Sequence, residues 1–98
     1  MKLLTMMVLC AAMLVGLAGC PSKNRGESIK LSNECVKAYG QKQFEVAIEK
    51  CTKSTERWRD NHIAWYALAG SWIGRQDWSK AADAMQSALQ VAREQPMD

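Results

Sequence analysis

Apolar residues recur at helical spacing in two stretches of the second half of the chain. They are Trp65, Leu68, Ala69 and Trp72 in the first stretch, and Trp78, Ala81, Met85 and Ala88 in the second. An interval of three or four residues places such side chains on one face of a helix. Asp77, a good N-cap, separates the two stretches. The pattern predicts two short amphipathic helices that fold back on each other.

The first half of the chain contains a weaker version of the same pattern. Ser28 is a candidate N-cap for a helix that ends near Gly40, and a second helix is predicted from Gln43 to Trp58. The apolar faces of these two helices contain Ile29, Leu31, Cys35 and Ala38 in one and Phe44, Ala47, Ile48 and Cys51 in the other. Asn61 is predicted to cap the helix that follows. The chain is therefore predicted to be all-α, with four helices that are too short to be stable without packing on each other.

The two halves match each other when the sequence is shifted so that Leu31 coincides with Trp65, a shift that we call the repeat interval. Residues of the same type or size class then coincide elsewhere too: Cys35 with Ala69, Gly40 with Gly74, Phe44 with Trp78, Ala47 with Ala81 and Cys51 with Met85. Glu34 and Ser54 are exceptions, because both coincide with apolar residues. Such self-similarity is typical of proteins that are built from stacked repeats.

The order of residues in the second half resembles the tetratricopeptide repeat, a helix-turn-helix unit of about 34 residues. The residues that match the family pattern are Trp65, Leu68, Trp72, Ala81, Met85 and Ala88. Ala69 stands where the family usually has glycine, and Trp72 and Met85 replace tyrosine and phenylalanine. The resemblance implies a short solenoid of four antiparallel helices, with one repeat at residues 28–61 and a second at residues 62–95.

The N-terminus resembles the signal of a bacterial lipoprotein. A short basic start precedes a long apolar run, residues 3–19, which ends in the lipobox-like sequence Leu17-Ala18-Gly19-Cys20. The resemblance implies that residues 1–19 are removed and that Cys20 receives acyl chains, which hold the protein on a lipid bilayer. The alternative is an uncleaved membrane span. The lipidated cysteine and the polar residues after it, 20–27, are predicted to form a flexible tether.

Several classes of function are disfavoured by the rest of the sequence. The net charge of +3 comes from mixed acidic and basic residues, so we expect no nucleic-acid partner. The single histidine, His62, has no cysteine or carboxylate at metal-ligand spacing, and motifs for catalysis or cofactor binding are absent. We therefore expect neither an enzyme nor a cofactor. In the lipoproteins that the N-terminus resembles, aspartate after the lipidated cysteine retains the protein at the inner membrane. Here Pro21 follows Cys20, so the resemblance implies the outer membrane, with the domain facing the periplasm.

In the tetratricopeptide family, the first helix of each repeat lines a groove that binds an extended peptide or a partner helix. The positions that correspond to this groove are Ile29, Ser32, Val36, Tyr39, Ile63, Tyr66, Gly70 and Ile73. Gly70 and Gly74 are expected to let the backbone of a ligand approach. The resemblance implies an adaptor or assembly factor for another envelope protein. The alternative for this face is that the tether or self-association covers part of it. A second hypothesis for the function is a structural envelope lipoprotein whose groove is filled by another copy, which gives a homo-oligomer.

Cys35 and Cys51 are expected to lie on facing helices of the first repeat. In an oxidising compartment they are candidates for a disulfide, which would add about 3 kcal/mol of stability. The alternative is two small buried thiols, and we favour it because the offset along the helices looks nearly one turn too great for a bond. A thiol or redox protein that uses Cys35 and Cys51 is a third hypothesis for the function.

Two features concern the packing of the outer residues. Trp58, Trp65 and Trp72 are spaced by seven residues, which is more typical of a packed core than of a stacking platform for sugars or bases. No helix is predicted after Gln95 to cover the last pair. We therefore expect Leu89 and Val91 to face a partner, a second copy or the membrane.

Overall fold

A computed structural model of the protein describes residues 21–95. These residues form four α-helices and no strand: α1 is Pro21–Gly40, α2 is Phe44–Arg57, α3 is His62–Gly74 and α4 is Trp78–Glu94. The prediction of an all-α protein with four helices is confirmed. The predicted signal peptide, its lipobox and Cys20 lie outside the described residues.

The helices are arranged as two consecutive pairs. α1 packs on α2 and α3 packs on α4, while the second pair contacts the first through α3, which lies against both α1 and α2. Consecutive helices are joined by only a few residues, so each follows its neighbour back across the domain. The first helices of the two pairs therefore lie side by side.

The turns inside the two pairs have the same backbone conformation. In the first turn, the Gln43 amide donates to the Ala38 carbonyl at 2.9 Å, and Lys42 has a left-handed φ of 60°. The second turn has the same arrangement one repeat interval later, again with a 2.9 Å hydrogen bond, and Gln76 has a φ of 62°. The periodicity of the sequence is thus matched by a periodicity of the backbone.

The start of α1 differs from the prediction. The segment that was expected to be a flexible tether is helical from Pro21, a residue that suits the first position of a helix. Two contacts with the end of α2 stabilise these turns. The Arg25 guanidinium lies 4.5 Å from the centre of the Trp58 ring, and Glu27 pairs with Arg57 at 3.7 Å.

Ser28 is consequently not the N-cap that the sequence suggested. It lies inside α1 and is fully buried, and its hydroxyl donates to the Ser54 carbonyl at 2.7 Å. The two other predicted caps are confirmed, since Asn61 accepts from the Ala64 amide and Asp77 accepts from the Lys80 amide. The helices that these residues begin, α3 and α4, start within one residue of the cap.

Small residues form the core, and larger ones pack around it. The buried cluster consists of Cys35, Ala38, Ala47, Cys51, Ala64, Leu68, Ala69 and Ala84. Trp65 and Trp72 are half-buried against this cluster, as the sequence predicted, and the Trp65 indole donates to the Arg59 carbonyl at 2.7 Å. Small side chains at a helix contact allow the helix axes to approach closely.

Trp78 was expected to pack in the second helix pair, but 65% of its surface is exposed. Phe44, which lies one repeat interval earlier, packs against Gly74 of the next pair. Within the described residues, no further pair covers Trp78 in that way.

Val91 also differs from the prediction, because it points into the domain and is 1% exposed, whereas Leu89 faces outward.

Candidate partner-binding surface

Six of the eight groove residues suggested by the sequence form an exposed apolar surface. They are Ile29, Val36 and Tyr39 on α1 with Ile63, Tyr66 and Ile73 on α3, and between 41% and 53% of each is exposed. We call these six residues the α1–α3 surface. They lie on two helices in direct contact, so the side chains are presented together. Large apolar side chains grouped in this way are typical of binding surfaces.

The remaining two predicted groove residues do not contribute side chains to this surface. Ser32 is only 3% exposed, and its hydroxyl donates to the Ile29 carbonyl within α1 at 2.8 Å. Gly70 is covered by the chain itself, because the ring of Tyr39 lies over it. A Cβ atom added to Gly70 would be 3.0 Å from Tyr39 Cε2.

Gly74 is likewise covered by an aromatic ring of the chain itself, at the contact between the two helix pairs. A Cβ atom there would lie 2.5 Å from Cε1 of Phe44. The expectation that Gly70 and Gly74 admit the backbone of a ligand is therefore wrong. Both glycines instead admit aromatic rings from the first pair, and the close approach of α3 depends on them.

Substitution of Gly74 tests this contact, and Gly40 provides a matched control. Gly74→Ala is expected to lower the free energy of unfolding by about 1 kcal/mol, because displacement of the Phe44 ring outweighs the helix propensity of alanine. Gly40 is the equivalent residue of the first pair, and a Cβ there meets nothing within 4 Å. Gly40→Ala should therefore be neutral or stabilise by up to about 1 kcal/mol. Urea unfolding followed by circular dichroism measures both, and a shift of the same sign in the two variants would contradict this account.

Aromatic contacts hold the two tyrosines of the α1–α3 surface. Tyr39 packs edge-on against Phe44, with 5.9 Å between ring centres, and Tyr66 meets the ring of His62 in the same manner at 6.4 Å. Each ring therefore has one face or edge fixed by the protein while more than 40% of the residue stays exposed. Partly immobilised tyrosines lose little conformational freedom when a partner binds.

Cys35 and Cys51 are joined by a disulfide bond that links α1 to α2. Their Cα atoms are 5.4 Å apart, so the expectation that the helical offset prevents a bond is wrong. Both residues are fully buried in the core. Thiol–disulfide exchange requires access of an attacking thiolate, so burial favours a structural role over a redox role.

Other kinds of site find no support in the part of the chain that the structure describes. No three histidine, cysteine or acidic residues among residues 21–95 lie close enough together to hold a metal ion. None of the four helices combines the length and apolar character needed to cross a bilayer. No protein-family model, curated protein or solved structure matches the chain.

Proposed function

We propose that the protein is a lipid-anchored adaptor or assembly factor of the bacterial cell envelope, built from two tetratricopeptide-like repeats. In this proposal, the α1–α3 surface binds a segment of another envelope protein. The observation that supports it is the exposure of six large apolar side chains on the two adjacent first helices. The equivalent turns, one repeat interval apart, support the assignment of the helix pairs as repeats.

The composition of the α1–α3 surface favours a protein segment as the ligand. Four aliphatic side chains supply apolar area, and Tyr39 and Tyr66 add hydroxyl groups that can direct hydrogen bonds. The six residues themselves include no charge. We therefore propose an apolar, extended or helical segment as the bound element rather than a terminal carboxylate.

Acylation of Cys20 would anchor the chain directly before α1. Since α1 is helical from its first residue, the distance between the anchor and the α1–α3 surface would be short. Because α1 begins at Pro21, Ile29 lies about 12 Å along the helix from the anchored end, at about 1.5 Å per residue. The α1–α3 surface would then be held close to the bilayer rather than on a long flexible tether. Anchoring near a membrane-bound partner raises the local concentration, so two weak contacts give a useful affinity.

Photo-crosslinking from the α1–α3 surface tests this function in cells. A photoreactive amino acid in place of Tyr66 should yield a discrete adduct with another envelope protein. The same group in place of Lys53, an exposed residue of α2, should not yield it. Ile63→Asp should reduce the Tyr66 adduct about fivefold or more, because burial of the exposed half of the isoleucine contributes about 1 kcal/mol to binding and an aspartate there would have to be desolvated. Cys20→Ser should reduce the adduct as well.

Ile63→Asp is suited to this experiment because it should leave the fold intact. Ile63 is 53% exposed and lies in the first turn of α3, where an acidic side chain interacts favourably with the helix dipole. Only self-adducts from Tyr66 would contradict the adaptor and support the self-associating structural lipoprotein. An absence of any adduct from both Tyr39 and Tyr66 would contradict both functions.

A further inference from the structure

The basic residues of α1 lie on its exposed face without acidic partners. Arg25, Lys30 and Lys37 are all exposed. Among residues 21–95, none of the three forms an ion pair. Arg25 stacks on the ring of Trp58 instead, a contact that leaves its charge in place. The exposed face of α1 is therefore positively charged.

The two acidic residues of α1 lie on the side that faces α2. Glu27 pairs with Arg57 at 3.7 Å, and Glu34 pairs with Lys50 at 3.2 Å. Lys30 is close to both glutamates along the helix but pairs with neither in the described part of the chain. The negative charge of α1 is thus offset by cations of α2, whereas the positive charge of its exposed face is not offset.

α3, the other helix of the α1–α3 surface, adds no negative charge. Its 13 residues include no aspartate, glutamate, lysine or arginine, and His62 is its one basic residue. The helices on the other side of the domain differ in this respect. α2 exposes Glu49 beside Lys53, and α4 exposes Lys80 and Asp83, so these helices present charges of both signs. The charge on the α1–α3 side has a single sign.

Two of the basic residues form an edge along the α1–α3 surface. Lys30 and Lys37 each follow an apolar residue of that surface, Ile29 and Val36, and are turned from it by about 100° around the helix. They are separated by two turns, about 10 Å along α1. Tyr39, which covers a glycine of α3, marks the opposite edge of this face of α1. The α1–α3 surface therefore has an apolar centre and, on the side away from α3, a basic edge.

We propose that the segment bound by the α1–α3 surface is acidic as well as apolar, with carboxylates that pair with Lys30 and Lys37. This inference rests on the proposed function and specifies the chemistry of the partner. Two acidic residues that match the lysines would be about seven positions apart in a helical segment, or about three in an extended one. Complementary charge at the edge of an apolar contact fixes the register of the partner and speeds association.

The position of the two lysines favours a protein segment over an anionic bilayer. A bilayer presents phosphate groups on all sides of an apolar surface that inserts into it, and surfaces of that kind are rich in lysine and arginine around the apolar face. Here Lys30 and Lys37 border one edge, and α3 contains neither lysine nor arginine. A one-sided distribution of charge suits a segment that has its acidic residues on one side.

Charge reversal along the basic edge tests this partner in cells. In chains that carry the photoreactive group at Tyr66, Lys30→Glu/Lys37→Glu should reduce the adduct with the other envelope protein about fivefold or more, because two attractions become repulsions. Lys30→Arg/Lys37→Arg should leave the adduct unchanged. The matched control is Lys53→Glu/Arg93→Glu, which changes the net charge equally and, like the test pair, includes a basic residue in the last turn of a helix. It should also leave the adduct unchanged.

Mass spectrometry of the adduct identifies the bound segment, and a charge swap then tests the pairing. Lysine in place of the acidic residues of the segment should restore the adduct of the Lys30→Glu/Lys37→Glu chain. Three results would overturn the acidic partner and leave the adaptor intact: an adduct that survives Lys30→Glu/Lys37→Glu, an equal loss in the control chain, or a bound segment without acidic residues at the stated spacing. A phospholipid adduct at Tyr66 would assign the surface to the bilayer instead. Self-adducts alone, or no adduct, would overturn both proposals.

Discussion

Replacement of both Cys35 and Cys51 by alanine should lower the free energy of unfolding by about 3 kcal/mol, because the unfolded chain regains the freedom that the closed loop removes. The bond joins residues 16 positions apart and ties α1 to α2. Small domains have little stability to spare, at about 5 kcal/mol or somewhat more in total, so this loss is severe. Urea unfolding followed by circular dichroism measures it.

Reductant provides the matched control for this variant. Dithiothreitol should shift the urea midpoint of the unsubstituted chain to nearly that of the Cys35→Ala/Cys51→Ala variant. It should not change the midpoint of the variant itself. The variant could instead have the same urea midpoint as the unsubstituted chain, and dithiothreitol could leave the midpoint of the unsubstituted chain unchanged. In that case the bond between α1 and α2 would contribute nothing to stability.

The elements that the sequence predicts well are those determined by neighbouring residues. The spacing of apolar side chains placed the second helix at Gln43 to Trp58, and α2 is Phe44–Arg57. Asn61 and Asp77 cap α3 and α4 as their side-chain chemistry suggests. These features depend on contacts within about one turn of helix, and the local pattern contains that information.

The features that the sequence analysis missed depend on contacts between distant residues. The first turns of α1 lack an apolar stripe and are stabilised by the end of α2, where Arg25 packs on Trp58. The disulfide depends on how far α1 and α2 slide along each other, which the periodicity of each helix does not determine. Spacing gives the face of a helix, but not its axial position against a neighbour.

The candidate surface was predictable only in part, because spacing gives the face of a helix and not the contacts that each side chain makes there. Matching to the family's groove selects one face of each first helix, and six of the eight selected residues are exposed. Ser32 turns inward because it lies on the buried face of α1 with Ser28 and Cys35, and its hydroxyl is satisfied there by the Ile29 carbonyl. Gly70 has no side chain, so an aromatic ring from α1 occupies the space above it.

Asn61→Ala should lower the free energy of unfolding by about 3 kcal/mol, which combines about 1 kcal/mol for the lost cap with about 1 kcal/mol for each of two buried hydrogen bonds. Asn61 is 4% exposed and lies where α1, α2 and α3 meet. Its oxygen accepts from the Ala64 amide at 3.3 Å. Its nitrogen donates to the Ser28 hydroxyl at 3.0 Å and to the Ser54 hydroxyl at 3.3 Å.

Asp77→Ala separates the two contributions, because Asp77 caps α4 through one hydrogen bond from the Lys80 amide and is only half-buried. That variant should lose about 1 kcal/mol, the cost of the cap alone. The excess loss in Asn61→Ala then measures the buried contacts with Ser28 and Ser54. Those two hydroxyls also donate to each other's backbone carbonyls, so they keep partners when Asn61 is removed. If both variants lost the same stability, the amide nitrogen of Asn61 would not help to join the second helix pair to the first.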